Sequence, residues 1–132
     1  MNLYGAATFT IQLAMYSAQV LDHFQNPRNV GNLSDADAAA EIENPACGDV
    51  VRITLKVNAD CVTEVRFKAK GCVAAIACAS ALTELVANHA LDQARNLRRE
   101  DVMLAVGGLP QASTHAAQLA VDVLQAALRG LK

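Results

Sequence analysis

The sequence predicts an α+β domain in which a small antiparallel sheet of about three strands carries helices packed on one face. Val51, Ile53, Leu55 and Val57 alternate with Arg52, Thr54, Lys56 and Asn58, and Val65, Phe67 and Ala69 alternate with Glu64, Arg66, Lys68 and Lys70. That period of two marks strands with one wet face. From Val73 onward the chain turns to Ala and Leu at helical spacing. The composition agrees: 53% of the 132 residues are hydrophobic, only 4% are aromatic and there is no Trp. A core of Ala, Val, Leu and Ile favours closely packed helices over an aromatic-rich barrel.

Tyr16 to Gln25 places Val20, Leu21 and Phe24 on one helical stripe, which Asn26-Pro27 ends, because proline disfavours helix in the residue before it. A polar loop runs from Val30 to about Asp37, and Ala38 to Glu43 is a weak strand candidate. The two alternating runs, joined across the three-residue turn Asn58-Ala59-Asp60, form a hairpin. One helix is expected from Val73 to about Asn88, and two shorter ones near Leu91 to Leu97 and Arg99 to Val106. Gly107-Gly108-Leu109-Pro110 is a stop. Ala116, Ala120, Val123, Leu124, Ala127 and Leu131 then make a final helical stripe whose partner is the apolar face of the hairpin.

Thirteen acidic residues against eleven basic ones give a net charge of −2, which argues against nucleic-acid binding, since phosphate recognition needs a concentrated basic surface. Arg95, Arg98 and Arg99 stand beside Glu100 and Asp101 and read as a solvated helix face. The apolar-leaning stretch Ala6 to Met15 is interrupted by Thr8, Thr10 and Gln12 and lacks an early positive charge, unlike a secretory signal. No run approaches the roughly 18 apolar residues of a membrane span. A cytoplasmic protein with reduced thiols, or thiols used as metal ligands, is expected.

Cys72 sits where an alternating strand gives way to a small-residue helix, so a thiol is placed at a helix start. The partial positive charge there, with Lys70 nearby, is expected to lower its pKa and favour thiolate. Pro45-Ala46-Cys47-Gly48-Asp49 puts a second thiol and a carboxylate on one loop, where Gly48 lets the backbone turn so that both face one point. His115 supplies an imidazole near the start of the last helix. Two thiols, a carboxylate and an imidazole make a metal site suited to zinc or iron. Each also has an ordinary role: a free cysteine is often a small core residue and a histidine at a helix start a capping group. Cys61 shares the parity of Val65, Phe67 and Ala69 and is expected to face the packed side of the hairpin. Cys78 follows Cys72 by six residues, about 600° of turn and 9 Å of rise on a helix, and is kept as a substitute ligand or sulfur relay. A Cys72/His115 nucleophilic hydrolase has the residue types but no oxyanion-hole or substrate signature.

The stretch Tyr16 to Gly31 (YSAQVLDHFQNPRNVG), then Pro45-Ala46-Cys47-Gly48-Asp49, Phe67-Lys68-Ala69-Lys70-Gly71-Cys72 and Leu82-Thr83-Glu84, resembles the IscU/NifU-type iron-sulfur cluster assembly scaffolds, in the same order. The resemblance implies an IscU/NifU N-terminal-like fold and a carrier with no turnover of its own. Such a carrier accepts sulfur from a cysteine desulfurase, assembles a [2Fe-2S] cluster with iron, passes it to apo-protein acceptors and also binds zinc. It implies Cys47, Asp49 and Cys72 as ligands, and it matches His115 to a histidine that precedes the family's third cysteine, which is the sulfur acceptor there; in this chain Cys72 is expected to accept sulfur, because its helix-start position favours thiolate. Here the residue after His115 is Ala116, and the third cysteine's thiolate is absent. With His115 in place of that thiolate the site carries three formal negative charges instead of four, which tilts it towards zinc without excluding a cluster. The alternative is a degenerate scaffold acting as a zinc-binding or desulfurase-binding regulator. A specialised Hsp70-type chaperone is not expected as a partner, because the family's Leu-Pro-Pro-Val-Lys is replaced by Leu109-Pro110-Gln111-Ala112-Ser113. Residues 1–15 are expected to be an N-terminal extension with Met15 the native start, and residues 16–132 the scaffold domain.

Overall fold

The first helix among the described residues, α1 (Ala18–Gln25), begins where Ser17 caps it. Ser17 Oγ accepts the Val20 N–H at 3.0 Å and donates to the Val106 carbonyl, tying the helix start to a distant part of the chain. The structure is a computed structural model and describes residues 15–131, so the expected extension lies almost wholly outside the described residues.

Three strands, β1 (Ala38–Glu43), β2 (Val50–Asn58) and β3 (Cys61–Lys70), pair antiparallel in the order β1-β2-β3, as the alternating runs predict. The β2–β3 turn is tighter than expected. Asn58 pairs with Cys61, and only Ala59 and Asp60 intervene, both at positive φ (52° and 63°), the two-residue geometry that matches strand twist. Cys61 is a correction. Lys56 pairs with Glu64 but Val57 pairs with Val62, so Thr63 is an extra residue on β3. That bulge reverses the alternation. Val62 therefore turns into the core and Cys61 is exposed.

Helices α2 (Val73–Val86) and α5 (Thr114–Arg129) pack on the sheet face formed by Val51, Ile53, Leu55, Val65 and Phe67. Ile53, Leu55, Leu82 and Leu124 are fully buried there, each contributing about 1.5–3 kcal/mol relative to exposure. Because α2 is buried on almost every side, its sequence has no polar stripe: Ala77 and Ala81 face Val20 and Val106 on the side away from the sheet. Small residues at that contact let α1 lie close. α2 stops at Val86, two residues before the expected end, because Ala87 is extended and Asn88 takes a positive φ of 62°. Two short helices, α3 (Leu91–Arg95) and α4 (Arg99–Ala105), follow, and Gly107 and Gly108 break the chain ahead of α5.

The register sets the position of the site. Glu43 pairs with Val50 and Val50 with Lys70, so the end of β1, the start of β2 and the end of β3 share one edge of the sheet. The β1–β2 loop and the β3–α2 junction therefore meet.

Candidate metal centre

Asn44 shapes the loop that carries Cys47 and Asp49. Its carbonyl accepts the Gly48 N–H at 2.7 Å and the Cys47 N–H at 3.3 Å, its N–H donates to the Asp49 carbonyl at 2.8 Å, and its Oδ1 accepts the Ala46 N–H at 3.0 Å. Gly48 takes the positive φ of 76° that closes the turn. Cys47 ends up exposed, whereas Asp49, two residues on, is buried at 2% exposure.

Across the loop, Cys72 is the N-cap of α2, its Sγ 3.4 Å from the Ala75 amide that donates to it. Asp49 bridges the parts. Its Oδ1 accepts the Cys72 N–H at 2.9 Å, its Oδ2 accepts the Cys72 S–H at 3.3 Å, and the same oxygen lies 3.5 Å from His115 Nε2 at the start of α5. His115 Nε2 is 3.8 Å from Cys47 Sγ, so the histidine faces Cys47 and Asp49. The ligand atoms of Cys47, Asp49 and His115 all lie within 4.8 Å of one another, and Cys72 joins the group through Asp49.

Metal bonds of about 2.0 Å to nitrogen or oxygen and 2.3 Å to sulfur place tetrahedral donors about 3.3–3.8 Å apart. Three separations fall in that range, Cys72 Sγ to Asp49 Oδ2 at 3.3 Å, Asp49 Oδ2 to His115 Nε2 at 3.5 Å and His115 Nε2 to Cys47 Sγ at 3.8 Å, and the group that closes within 4.8 Å is Cys47, Asp49 and His115 without Cys72. Two sulfurs, one nitrogen and one oxygen form a borderline-soft set that suits zinc or iron.

Burial raises the Asp49 pKa, but the bonds from the Cys72 amide and from the Cys47, Cys72 and His115 side chains outweigh it, and the carboxyl is held below its usual value of 3.8. For Cys72 the balance runs opposite to the sequence expectation. Burial raises its pKa above the ordinary 9.0; the Ala75 amide opposes this, and the Asp49 carboxylate adds to the rise. The helix start is where the sequence places it, yet half-burial and a neighbouring negative charge keep the thiol protonated. Lys70 is exposed on β3 and takes no part in that balance.

Cys78 is fully buried in the core and its pKa is pushed up to about 12, first by burial and then by Cys72. It lies outside the group of ligand atoms that Cys47, Asp49 and His115 bring together. Ala116, next to His115, is also buried, with its methyl group in the core. Sequence reasoning left two residues near the site without a role. Asn44 orders the loop, a use signalled by Asn before Pro; Gly71, ahead of Cys72, adopts a φ of 141°. His23, in the first motif, is 7% exposed, with Nδ1 2.8 Å from Ser80 Oγ and Nε2 3.4 Å from Glu84 Oε1, joining α1 to α2.

The profile of the family described as "NifU-like N terminal domain" matches residues 15–132. The chain is 43% identical over 114 residues to "Iron-sulfur cluster assembly scaffold protein IscU 1" of Archaeoglobus fulgidus, covering 86% of this chain and 74% of that one. It is 45% identical over 116 residues to the protein named as the IscU scaffold of Aquifex aeolicus, with the same coverage. With the Escherichia coli K12 protein of that name the identity is 39% over 121 residues, covering 89% and 94%. Among solved structures, a NifU-like protein (N-terminal) from Brucella abortus superposes with a TM-score of 0.72 at 22% identity, covering 89% of this chain and 94% of that one, a likeness of fold.

Proposed function

We propose that this chain, which belongs to the NifU-like N-terminal domain family, is a scaffold on which iron and sulfide are assembled into a cluster and from which the cluster is passed on. The observation that carries this is the convergence of Cys47, Asp49 and His115 within 4.8 Å, with Cys72 on the same carboxylate. Iron and sulfide, as a [2Fe-2S] unit, are cargo held by Cys47, Asp49, Cys72 and His115, and zinc suits the same four donors. Three anionic ligands and a neutral imidazole bind a cation less firmly than four anions would, which favours release to an acceptor. Cys78, fully buried, is left out of this set of donors.

A cysteine desulfurase supplies the sulfur. Cys72 Sγ attacks the terminal sulfur of the desulfurase persulfide, the donor's sulfur–sulfur bond breaks, the desulfurase thiolate leaves and a persulfide forms on Cys72. The departing desulfurase thiolate takes up the Cys72 proton and leaves as a thiol, so Asp49, whose carboxyl is held below its usual range, stays ionised. Cys47 is exposed, so a partner can reach it. The protein then acts as a carrier for apo-protein acceptors, without turnover of its own. Four unpaired thiols suit a reducing compartment, the cytoplasm. No helix among the described residues is long and apolar enough to cross a membrane.

Anaerobic incubation with ferrous iron, cysteine, a cysteine desulfurase and a thiol reductant, which supplies the remaining electrons that turn persulfide sulfur into sulfide, tests this. Visible absorption from a bound cluster is expected in the native protein and its loss in Cys72→Ser; absence of cluster absorption from the native protein would overturn the proposal. The relatives' names favour the scaffold over the zinc-binding or desulfurase-binding regulator.

A further inference from the structure

We infer that Gly71 is the positioning residue for Asp49: its missing side chain leaves the space in which the Asp49 carboxylate sits. A Cβ built on Gly71 would overlap Asp49 Oδ1 and stand 2.7 Å from Asp49 Cγ and 3.0 Å from Asp49 Cα. Real Cβ atoms essentially never approach another heavy atom below 3.0 Å, so something must shift. The carboxylate has little freedom to do so. Its Oδ1 is bonded to the Cys72 N–H at 2.9 Å, and the Asp49 carbonyl is bonded to the Asn44 N–H at 2.8 Å. Because the close approach includes Asp49 Cα, the strain passes into the loop that also carries Cys47.

The other described glycines differ. Gly48 and Gly108 have nothing within 4 Å of a built Cβ, Gly31 meets only the Arg66 side chain at 3.7 Å, and Gly107 meets the flexible end of Gln19. Gly71 also has a φ of 141°, which L side chains rarely adopt, but that strain acts on the backbone and is indifferent to what residue 49 is. The overlap with Oδ1 and Cγ is lost when residue 49 carries no carboxylate, whereas the approach to Cα and the backbone strain remain. That difference separates a positioning role from a merely structural one.

The metal-binding consequence rests on the proposed scaffold site; the placement of Asp49 does not. Two readouts keep them apart: amide hydrogen exchange at Cys72 in metal-free protein, and cobalt(II) affinity from thiolate-to-metal absorption. Gly71→Ala is expected to speed Cys72 amide exchange about tenfold or more, as Asp49→Ala does, and to weaken cobalt(II) binding by a similar factor, the size expected for loss of one charge-assisted hydrogen bond or one ligand. In an Asp49→Ala background, where only the approach to Cα and the backbone strain remain, the further effect of Gly71→Ala is expected to be clearly smaller than its effect in the native protein. Gly108→Ala, with a φ of 91° and open space around it, serves as the control for backbone strain and is expected to leave both readouts at native values.

Native exchange at Cys72 in Gly71→Ala, or an equal further effect in the Asp49→Ala background, would overturn the inference. If Gly71→Ala fails to fold, recovery of the fold in the Asp49→Ala/Gly71→Ala protein supports it and failure of that double variant overturns it. If the native protein binds no cobalt(II), the scaffold site is wrong, while the Cys72 amide still decides the role of Gly71.

Discussion

Asp49→Asn keeps the size of the side chain and one acceptor oxygen but removes the charge and the oxygen that faces Cys72 Sγ and His115 Nε2. Two effects oppose each other. The native carboxylate is 2% exposed, so its removal relieves a desolvation penalty, and it is held by the Cys72 N–H at 2.9 Å, the Cys72 S–H at 3.3 Å and His115 at 3.5 Å, so its removal loses those attractions. The lowered pKa says which is larger: the folded protein prefers the charged form more than water does. Hydrogen bonds to a charged group contribute about 1.5–3 kcal/mol each at best. Offset by desolvation, and with two of the three contacts long, a net loss of about 1–2 kcal/mol is expected. For a domain of this size that lowers Tm by about 3–10 °C.

The pH dependence checks the cause. The unfolded carboxyl takes up its proton near 3.8, and the folded one only at lower pH. The stabilisation is therefore fully present above about 4 and is lost as pH falls through the folded value. Urea denaturation of native and Asp49→Asn metal-free protein should show the gap at pH 7 and at pH 5, and its closure on acidification below 3.8. An Asp49→Asn protein as stable as the native one at pH 7, or more stable, would refute the reasoning.

Iodoacetamide at pH 8 should label Cys47 and Cys61 readily and leave Cys78 unlabelled until the protein unfolds, read by peptide mass; rapid native-state labelling of Cys78 would contradict its burial and its pKa of about 12. His23 has its pKa lowered below 6.5, first by burial and then by Arg28, so the unfolded state binds the proton first and stability falls as pH drops through 6.5. His23→Gln should remove that part of the pH dependence in denaturation curves, and an unchanged slope would count against it. Leu82→Ala, at a fully buried position of α2, should cost about 2–5 kcal/mol by urea denaturation; a cost under about 1 kcal/mol would show that the site collapses around the gap.

The strands were legible because one face of each is wet, so Val51, Ile53 and Leu55 announce their direction by alternation. Cys61 was misread because one extra residue, Thr63, reverses that alternation, and a bulge leaves no mark in a hydrophobic pattern. Cys47 and Asp49 share a loop, and the register of Glu43, Val50 and Lys70 brings that loop to Cys72, whose N–H and S–H reach Asp49. The protonation of Cys72 was not legible. The helix start predicts a lowered pKa, but burial and a carboxylate 23 residues away in sequence act the other way and exist only in the fold. The same holds for Gly71, whose role depends on which atom fills the space beside it.

Transfer of a cluster assembled on this chain to an apo-ferredoxin is the most direct measurement of scaffold function. After anaerobic assembly and removal of unbound iron and sulfide, the acceptor should gain the absorption and circular dichroism of a [2Fe-2S] ferredoxin while this chain loses its own. Retention of the cluster here, or an acceptor signal that is no faster than with free iron and sulfide, would contradict it.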